Sequence, residues 1–485
     1  MASLGVLGAI NSLRSVPLAA AESEIKMNQA LPGIQGKVIR REDSNYEIWR
    51  QSMHWHQSKP DRYPDIIVQA QSVEDVIAAV NYAAKNRHKI AIKSGGHNST
   101  GPSLREGGML LDVAPLNDIQ IDSSKQIASI EPGVKSLQLV TEARSEGLSF
   151  PVPHCPSVGL SGFVMGGGIG WNYSHCGGMS CFSIESAEVV TADGRLVTAS
   201  ANENPDLLWA IRGAGPGFFG VVTRLGLKLY PLPNAILASS YILPLDDLEI
   251  VTRSMDELMD LKDDKVEVIA LLAHNPAAPS DAPAEKSKIC FVTAFAFADS
   301  DDEAMGMLSP FTESTLARQS MVKSENQPFS FEELYDKFFS LEVPAGRMAR
   351  YAVDNVMTDE PGKVLHALAD HFRRAPSPHT HVLAGYGMNL QAREDACFSS
   401  IANCYLGCYA IWDKEANDYI NYAWLGETVP IMEPYAKGHY VNEVEPRFNP
   451  DRIRQCFSND AWKRLEQLRA KYDPDGVFHH YLGQG

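Results

Sequence analysis

Three glycine-dense strings carry the residue types able to do chemistry. The first, Lys93-Ser94-Gly95-Gly96-His97-Asn98-Ser99-Thr100-Gly101, follows a short apolar run. Three glycines and four small polar residues let such a loop turn sharply and aim several backbone N–H groups at one point, a nest for phosphate. No GKS or GKT closes it, so it is not a Walker A loop. The second string, His154-Cys155-Pro156-Ser157-Val158-Gly159-Leu160-Ser161-Gly162-Phe163-Val164-Met165-Gly166-Gly167-Gly168-Ile169-Gly170, has glycine at six of the twelve positions from Gly159 onward. Its G-x-G-x-x-G-like spacings raise a nicotinamide-binding turn. Against that, no strand pattern leads into it, no amphipathic helix pattern follows it, and it comes after a long α/β stretch instead of opening one. Glycines this dense let backbone lie directly against a flat ligand. The third string, Arg212-Gly213-Ala214-Gly215-Pro216-Gly217-Phe218-Phe219-Gly220-Val221-Val222, sets four glycines among aromatics ahead of a strand pattern. Together the three imply one large, flat, phosphate-bearing cofactor.

The elements that must position these strings alternate. Asp65 to Ala70 reads as a strand, and Ser72 caps the helix after it, with Asp75 at the capping-box position. Val73, Val76, Ile77 and Val80 recur at helical spacing and predict its buried face. Lys89 to Lys93 is a strand that runs directly into the first glycine loop. Met109 to Val113 and Gln126 to Ile130 are further strands, and a helix is expected from Ser136 to Ser145, stopped at Gly147. Ala187 to Thr191 and Arg195 to Ala199 flank Asp193-Gly194, a hairpin signal. Asn204-Pro205 starts a short helix through Leu208 and Trp209, and Val221 to Tyr230 alternates like a strand. Beyond Pro231 the pattern changes. Strand-like runs such as Lys288 to Phe297 and His381 to Ala384 are separated by long, often acidic helical stretches. Ala461 to Tyr472 reads as an amphipathic helix with Leu465 and Leu468 inward, ending at the turn Asp473-Pro474-Asp475-Gly476.

The strings SGGH, CPSVGLSGFVMGGGIG and RGAGPGFFGVVT resemble, in content, order and spacing, the FAD-linked oxidases of the vanillyl-alcohol oxidase superfamily, and more closely the berberine bridge enzyme-like group. The likeness runs from about Pro64 to Pro231 and resumes at Lys471-Tyr472-Asp473-Pro474-Asp475. It implies an α+β fold: a two-part FAD-binding domain of PCMH type over 1–231, an α+β substrate domain with an antiparallel sheet over 232–440, and a segment over 441–485 that returns to the first domain. It also implies site residues. Ser94, Gly95, Gly96, Asn98, Ser99, Thr100 and Gly101 would cradle the pyrophosphate. His97 would carry the flavin through its 8α-methyl group, and Cys155 would bond flavin C6. Gly159, Gly162, Gly166, Gly167, Gly168 and Gly170 would line the cofactor, with Gly220, Val221 and Val222 on its adenine side. Val158 stands where oxidases of the group keep a small residue that leaves molecular oxygen a path.

The reaction so implied is hydride transfer from an alcohol, sugar or specialised metabolite to covalently held FAD, with oxygen reduced to hydrogen peroxide. A dehydrogenase or oxidative cyclase using another acceptor is the alternative, and a flavin-bearing protein without turnover is a third reading. Departures from the group leave the base open. Ser99 stands where many relatives have Tyr, Ala461-Trp462 replaces Asn-Tyr, and Tyr440-Val441-Asn442-Glu443 keeps three positions of Tyr-x-Asn-Tyr. Tyr440 is the expected base or orienter, with Asn442 near the flavin. His439, Glu443 and Tyr351 are alternatives.

Bulk properties limit the partners. The 485 residues carry 43 Lys plus Arg against 60 Asp plus Glu, a net charge of -17. That balance argues against nucleic acid, whose phosphates need a basic face, and against an anionic membrane surface. No apolar run reaches the length of a spanning helix. Residues 1–23 lack a basic start and are interrupted by Asn11, Ser12 and Arg14, which argues against a cleaved secretory signal and favours a cytoplasmic location. The eight cysteines show no CxxC and no zinc-ligand spacing, so no metal is expected, and all but Cys155 read as small buried residues.

Overall fold

The computed structural model describes residues 31–279, 283, 287–342 and 349–483. The amino-terminal expectation above falls outside them. The chain is α+β, as expected, and is built on three main sheets.

The first sheet has four strands in the order Lys37–Arg40, Ile66–Gln69, Met109–Asp112, Ile90–Lys93. The last three are mutually parallel and the first is antiparallel to its neighbour. The helix Val73–Asn86 covers this sheet with Val76, Ala79, Val80 and Ala83 fully buried, while Val73 and Ile77 lie at the margin. The Ser72 hydroxyl accepts from Asp75 N as predicted. Asp75 does not return the bond to Ser72. Its carboxylate, one methylene shorter than the Glu of a full capping box, accepts instead from the backbone N–H groups of Gln35, Gly36 and Gln71. This stitches the chain before the first strand onto the helix N-terminus.

The second sheet is antiparallel throughout, in the order Ile119–Asp122, Ile127–Ile130, Val221–Lys228, Ile184–Val190, Leu196–Ser200. The Asp193-Gly194 hairpin joins the last two, with Gly194 at φ 75°. The helix Ser136–Ser145 ends where Gly147 adopts φ 69°, as read from sequence. The second glycine string hides a short helix, Leu160–Met165, that its composition concealed.

The third sheet has seven antiparallel strands in the order Val322–Pro328, Ala235–Pro244, Lys288–Ala298, Val266–His274, His381–Tyr386, Cys404–Trp412, Arg350–Thr358. Side chains alternate across it. Val268, Val292, Ala384, Leu406 and Ala352 pack outward under the helices Leu248–Met259, Asp301–Thr312, Pro361–Arg373 and Asp418–Met432. Ile269, Leu383, Tyr405, Tyr409 and Val353 face the other way, into a cleft shared with the first two sheets.

The carboxyl-terminal segment closes the molecule. After the helix Asn459–Tyr472, Asp473 accepts from Val477 N at 2.6 Å and Phe478 N at 2.9 Å. Ile90 N then donates to Val477 O and His479 N to Ile90 O, so the tail lies parallel beside the strand that feeds the first glycine loop. Replacing Asp473 with Ala leaves two buried N–H groups unpaired, and is expected to cost about 1–3 kcal/mol. A lowered unfolding midpoint, partly restored in Asp473→Asn, checks this.

Candidate active site

The strand Ile90–Lys93 delivers Ser94–Gly101, and the residues before the helix Leu160–Met165 deliver Cys155–Gly159. Gly95 and Gly159 bring the two segments together. A Cβ on Gly95 would lie 2.6 Å from Gly159 N and 2.7 Å from its Cα, so any side chain there would force the backbones apart. Around that contact Ser94 Oγ donates to Pro132 O at 2.6 Å, and Ser161 Oγ lies 2.9 Å from both Ser94 Oγ and Pro132 O. Asn98 braces the far side of the loop. Its Oδ1 accepts from Thr100 N and Thr100 Oγ1, and its Nδ2 donates to Asn442 O at 2.8 Å.

The contact puts the two candidate attachment residues side by side. Cys155 Sγ lies 3.7 Å from His97 Nε2, and Ser157 Oγ lies 3.2 Å from each of these atoms. Trp55 stacks on the His97 ring at 4.1 Å with 10° between planes. Burial lowers the His97 pKa to about 3, so the imidazole is neutral and keeps a nucleophilic lone pair at physiological pH.

Both side chains open into one cleft of about 320 Å³. Every predicted residue from Ser94 to Gly101 lines it except Thr100, whose side chain is spent on Asn98. Cys155, Val158, Gly159, Gly162, Gly220, Val222, Tyr440 and Asn442 line it as well. Gly166, Gly167, Gly168, Gly170 and Val221 do not. Their glycines serve packing within the protein: a Cβ would strike Asn442 at Gly166, Phe398 at Gly167, Ser180 and Phe163 at Gly168, and Val152 O at Gly170. Val221 is fully buried in the first sheet's core. Gly162 is the opposite case, since a Cβ there would meet nothing within 4 Å. It leaves open space where a planar ring system can lie on backbone.

The third sheet forms the opposite wall and contributes residues the sequence reading did not single out. Tyr405 and Tyr409 project from one strand with Gly407 between them, where a Cβ would fall 2.3 Å from the Tyr405 hydroxyl. Both hydroxyls donate to Glu443 Oε2, that of Tyr409 at 3.0 Å. Among the described residues Oε1 accepts no hydrogen bond. Burial raises the Glu443 pKa. Tyr351, His381 and Trp55 complete an aromatic wall, with His381 stacked on Tyr409 at 4.8 Å. A second buried carboxylate, Glu267, lies further along the same sheet. It accepts from Asn172 N, Ser174 N and the Ser174 hydroxyl, and burial pushes its pKa to about 7. The alternating Tyr-x-Gly-x-Tyr could have marked a ligand-facing strand, but its pairing with Glu443 is long-range and leaves no local signal.

Of the two roles expected of Tyr440, base or orienter, its surroundings favour the second. Its hydroxyl oxygen accepts from Gly168 N at 3.1 Å and Asn442 Nδ2 at 3.0 Å, and Asn442 Nδ2 also reaches Phe163 O. A neutral tyrosine with both lone pairs engaged has only its proton to give, and burial raises its pKa further. The geometry therefore suits orienting a substrate, not deprotonating one. Asn355 fixes the backbone behind it, accepting from Tyr440 N at 2.7 Å and donating to Tyr440 O at 3.1 Å.

Comparison with known proteins agrees with this arrangement. Residues 64–200 match the family described as FAD binding domain, and residues 418–483 match berberine and berberine like. The FAD-linked oxidoreductase janO of Penicillium janthinellum is 28% identical over 436 residues, spanning 89% of this chain and 94% of the relative. This chain is an FAD-linked oxidoreductase that carries both the FAD-binding and the berberine-like segments. The fold of this oxidoreductase is also that of 6-hydroxy-D-nicotine oxidase from Arthrobacter nicotinovorans, with a TM-score of 0.81 at 23% identity, covering 94% of this chain and 99% of that one. Xylooligosaccharide oxidase from Myceliophthora thermophila matches with a TM-score of 0.76 at 21% identity, covering 92% and 96%. The residues present fit FAD: a glycine-rich loop with free N–H groups, open space over Gly162, and a neutral imidazole beside a thiol. Gly95→Ala is expected to separate the two loops and to reduce flavin absorbance per chain at 450 nm by more than half in the purified oxidoreductase.

Proposed function

We propose that this oxidoreductase is an oxidase that removes a hydride from a planar alcohol or specialised metabolite, with Glu443 as the base and FAD held through His97 and Cys155. When bound, FAD supplies the two-electron acceptor and passes the pair to molecular oxygen, which leaves as hydrogen peroxide. The observation that carries the reading is Glu443, a buried carboxylate with two tyrosine donors on Oε2 and a free Oε1, in the same cleft as His97 and Cys155.

The chain's own residues divide the work. Glu443 Oε1 takes the proton of a substrate O–H or N–H beside the carbon that loses hydride. Tyr405 and Tyr409 keep the carboxylate oriented toward the cleft. Tyr440 donates its proton to a substrate lone pair, while Asn442 fixes the phenol ring. Trp55, Tyr351 and His381 exclude water and favour a flat substrate by ring stacking. His97 and Cys155 lie 3.7 Å apart on the cleft, where both would reach one bound ring system, which supports attachment at both. Val158 lines the cleft between them and the Gly159 contact, consistent with the oxygen path expected there.

Two experiments test the reading. In acid-denatured protein the yellow colour is expected to stay with the chain, and a peptide mass map is expected to show one flavin mass joining the His97 and Cys155 peptides. Colour lost to the supernatant would refute covalent attachment. Glu443→Gln is expected to retain flavin and to slow anaerobic flavin reduction by about 10²–10⁴-fold. In the parent protein that rate falls as pH drops through the raised Glu443 pKa, because only the carboxylate accepts a proton. In Glu443→Gln the acid limb disappears.

A further inference from the structure

Behind the first glycine loop lie two guanidinium groups, Arg105 and Arg62, with Glu445 near enough to Arg62 to act on it electrostatically. Arg105 Nε donates to Pro102 O at 2.9 Å, and its Nη2 donates to His480 O at 2.6 Å. Arg62 Nη2 donates to Thr100 O at 2.5 Å and to Gly101 O at 2.7 Å. Among the described residues neither makes an ion pair within 4 Å. The two repel each other, and burial together with that repulsion lowers the pKa of Arg105 to about 10. Burial lowers that of Arg62 likewise, against the opposing pull of the Glu445 carboxylate and with a smaller push from Arg447. Carbonyl oxygens orient a guanidinium but do not neutralise it, so a half-buried cation held this way is costly until an anion arrives.

The tail supplies a third group. His479 lines the same cleft as Arg105 and the glycine loop, and its Nε2 is buried without a hydrogen-bond partner. Its backbone is pinned by donation from His479 N to Ile90 O, at the root of the loop. Ser103 lines the cleft beside Arg105. One region of the cleft therefore carries a guanidinium, an unpartnered imidazole nitrogen and a hydroxyl, with a second guanidinium behind it. The carboxylates Glu267, on the third sheet, and Glu443, in the turn after Tyr440, also line the cleft.

We infer that Arg105 and His479, with Arg62 behind them, form a cationic clasp for the diphosphate of the dinucleotide cofactor, so that the carboxyl-terminal tail contributes directly to cofactor retention. The inference rests on FAD as the occupant. A loop of N–H groups alone binds phosphate through partial charges. Two full charges and an imidazole add a longer-range attraction that a diphosphate satisfies and an uncharged flavin cannot use. Arg105 acts on the ligand, and Arg62 acts through the loop carbonyls as a positioning residue.

The test uses the full chain with His97→Ala and Cys155→Ala, in which flavin binds reversibly, and measures dissociation constants for FAD and for riboflavin by quenching of flavin fluorescence. Adding Arg105→Gln is expected to weaken FAD at least tenfold and to leave riboflavin unchanged within twofold. Arg105→Lys should recover part of the loss. His479→Gln should weaken FAD by several-fold, again without changing riboflavin. The tenfold loss should shrink as NaCl rises from 50 to 500 mM, because salt screens the attraction. Equal FAD affinity in the parent and Arg105→Gln would overturn the inference, as would equal losses for FAD and riboflavin, which would mark a structural role. A parent that binds riboflavin but gains nothing from the ADP half would also overturn it. A parent that binds neither flavin would instead refute the cofactor reading on which the inference stands.

Discussion

The contact between Gly95 and Gly159 is the constraint on which the site depends. It brings two backbones closer than any side chain allows, and thereby sets His97 and Cys155 on neighbouring edges of one cleft. Around it the structure adds braces that leave little freedom. Ser94 and Ser161 share Pro132 O, and Asn98 spans from its own loop to Asn442. Asn442 in turn holds Tyr440, and Asn355 holds the backbone at Tyr440 from behind. The first glycine loop and the Tyr440 side of the cleft are thus joined through Asn98 and Asn442 by hydrogen bonds, about 1 kcal/mol each in net stability but far more valuable as fixed geometry.

Charge is divided across the same space. Cationic groups gather behind the first glycine loop, while Glu267 lines the cleft from the third sheet and Glu443 from the turn that its two tyrosines hold. Arg452 shows that the protein can bury a cation against carboxylates where it serves structure. Its guanidinium is completely buried, bonded to Asp354, Glu433 and Asn355 O. Among the described residues Arg105 and Arg62 make no ion pair within 4 Å, a contrast within one chain that fits the clasp inferred above.

Much of the first half was legible because its signals are local. The strand into Ser94, the Ser72 cap, the Asp193-Gly194 hairpin and the helix stopped at Gly147 each follow from a few adjacent residues, and the glycine strings announced a cofactor. The same density misled at Gly166, Gly167, Gly168 and Gly170. Glycine reports only that something lies close, and here Asn442, Phe398, Ser180 and Val152 are the close neighbours. The third sheet's contribution was beyond reach. Tyr405 and Glu443 are 38 residues apart, one on a central strand and the other in a distant turn, and no local pattern marks their meeting. Tyr440 was found from its string, but its role depended on Gly168 N–H, 272 residues away.

The seven-stranded sheet has two faces with separate duties. Its outward side chains meet the helices and hold the fold, while the intervening ones line the cleft, and at Gly385 the cleft face offers space where a Cβ would touch nothing. Strand alternation therefore works as a partition between heritable architecture and heritable taste. A lineage can rewrite every second residue of these strands, enlarging or crowding the chamber, while the hydrophobic layer that specifies the fold passes down unaltered. Relatives sharing barely a quarter of their residues can keep one scaffold by this means, and the substrate can change without the protein having to learn to fold again.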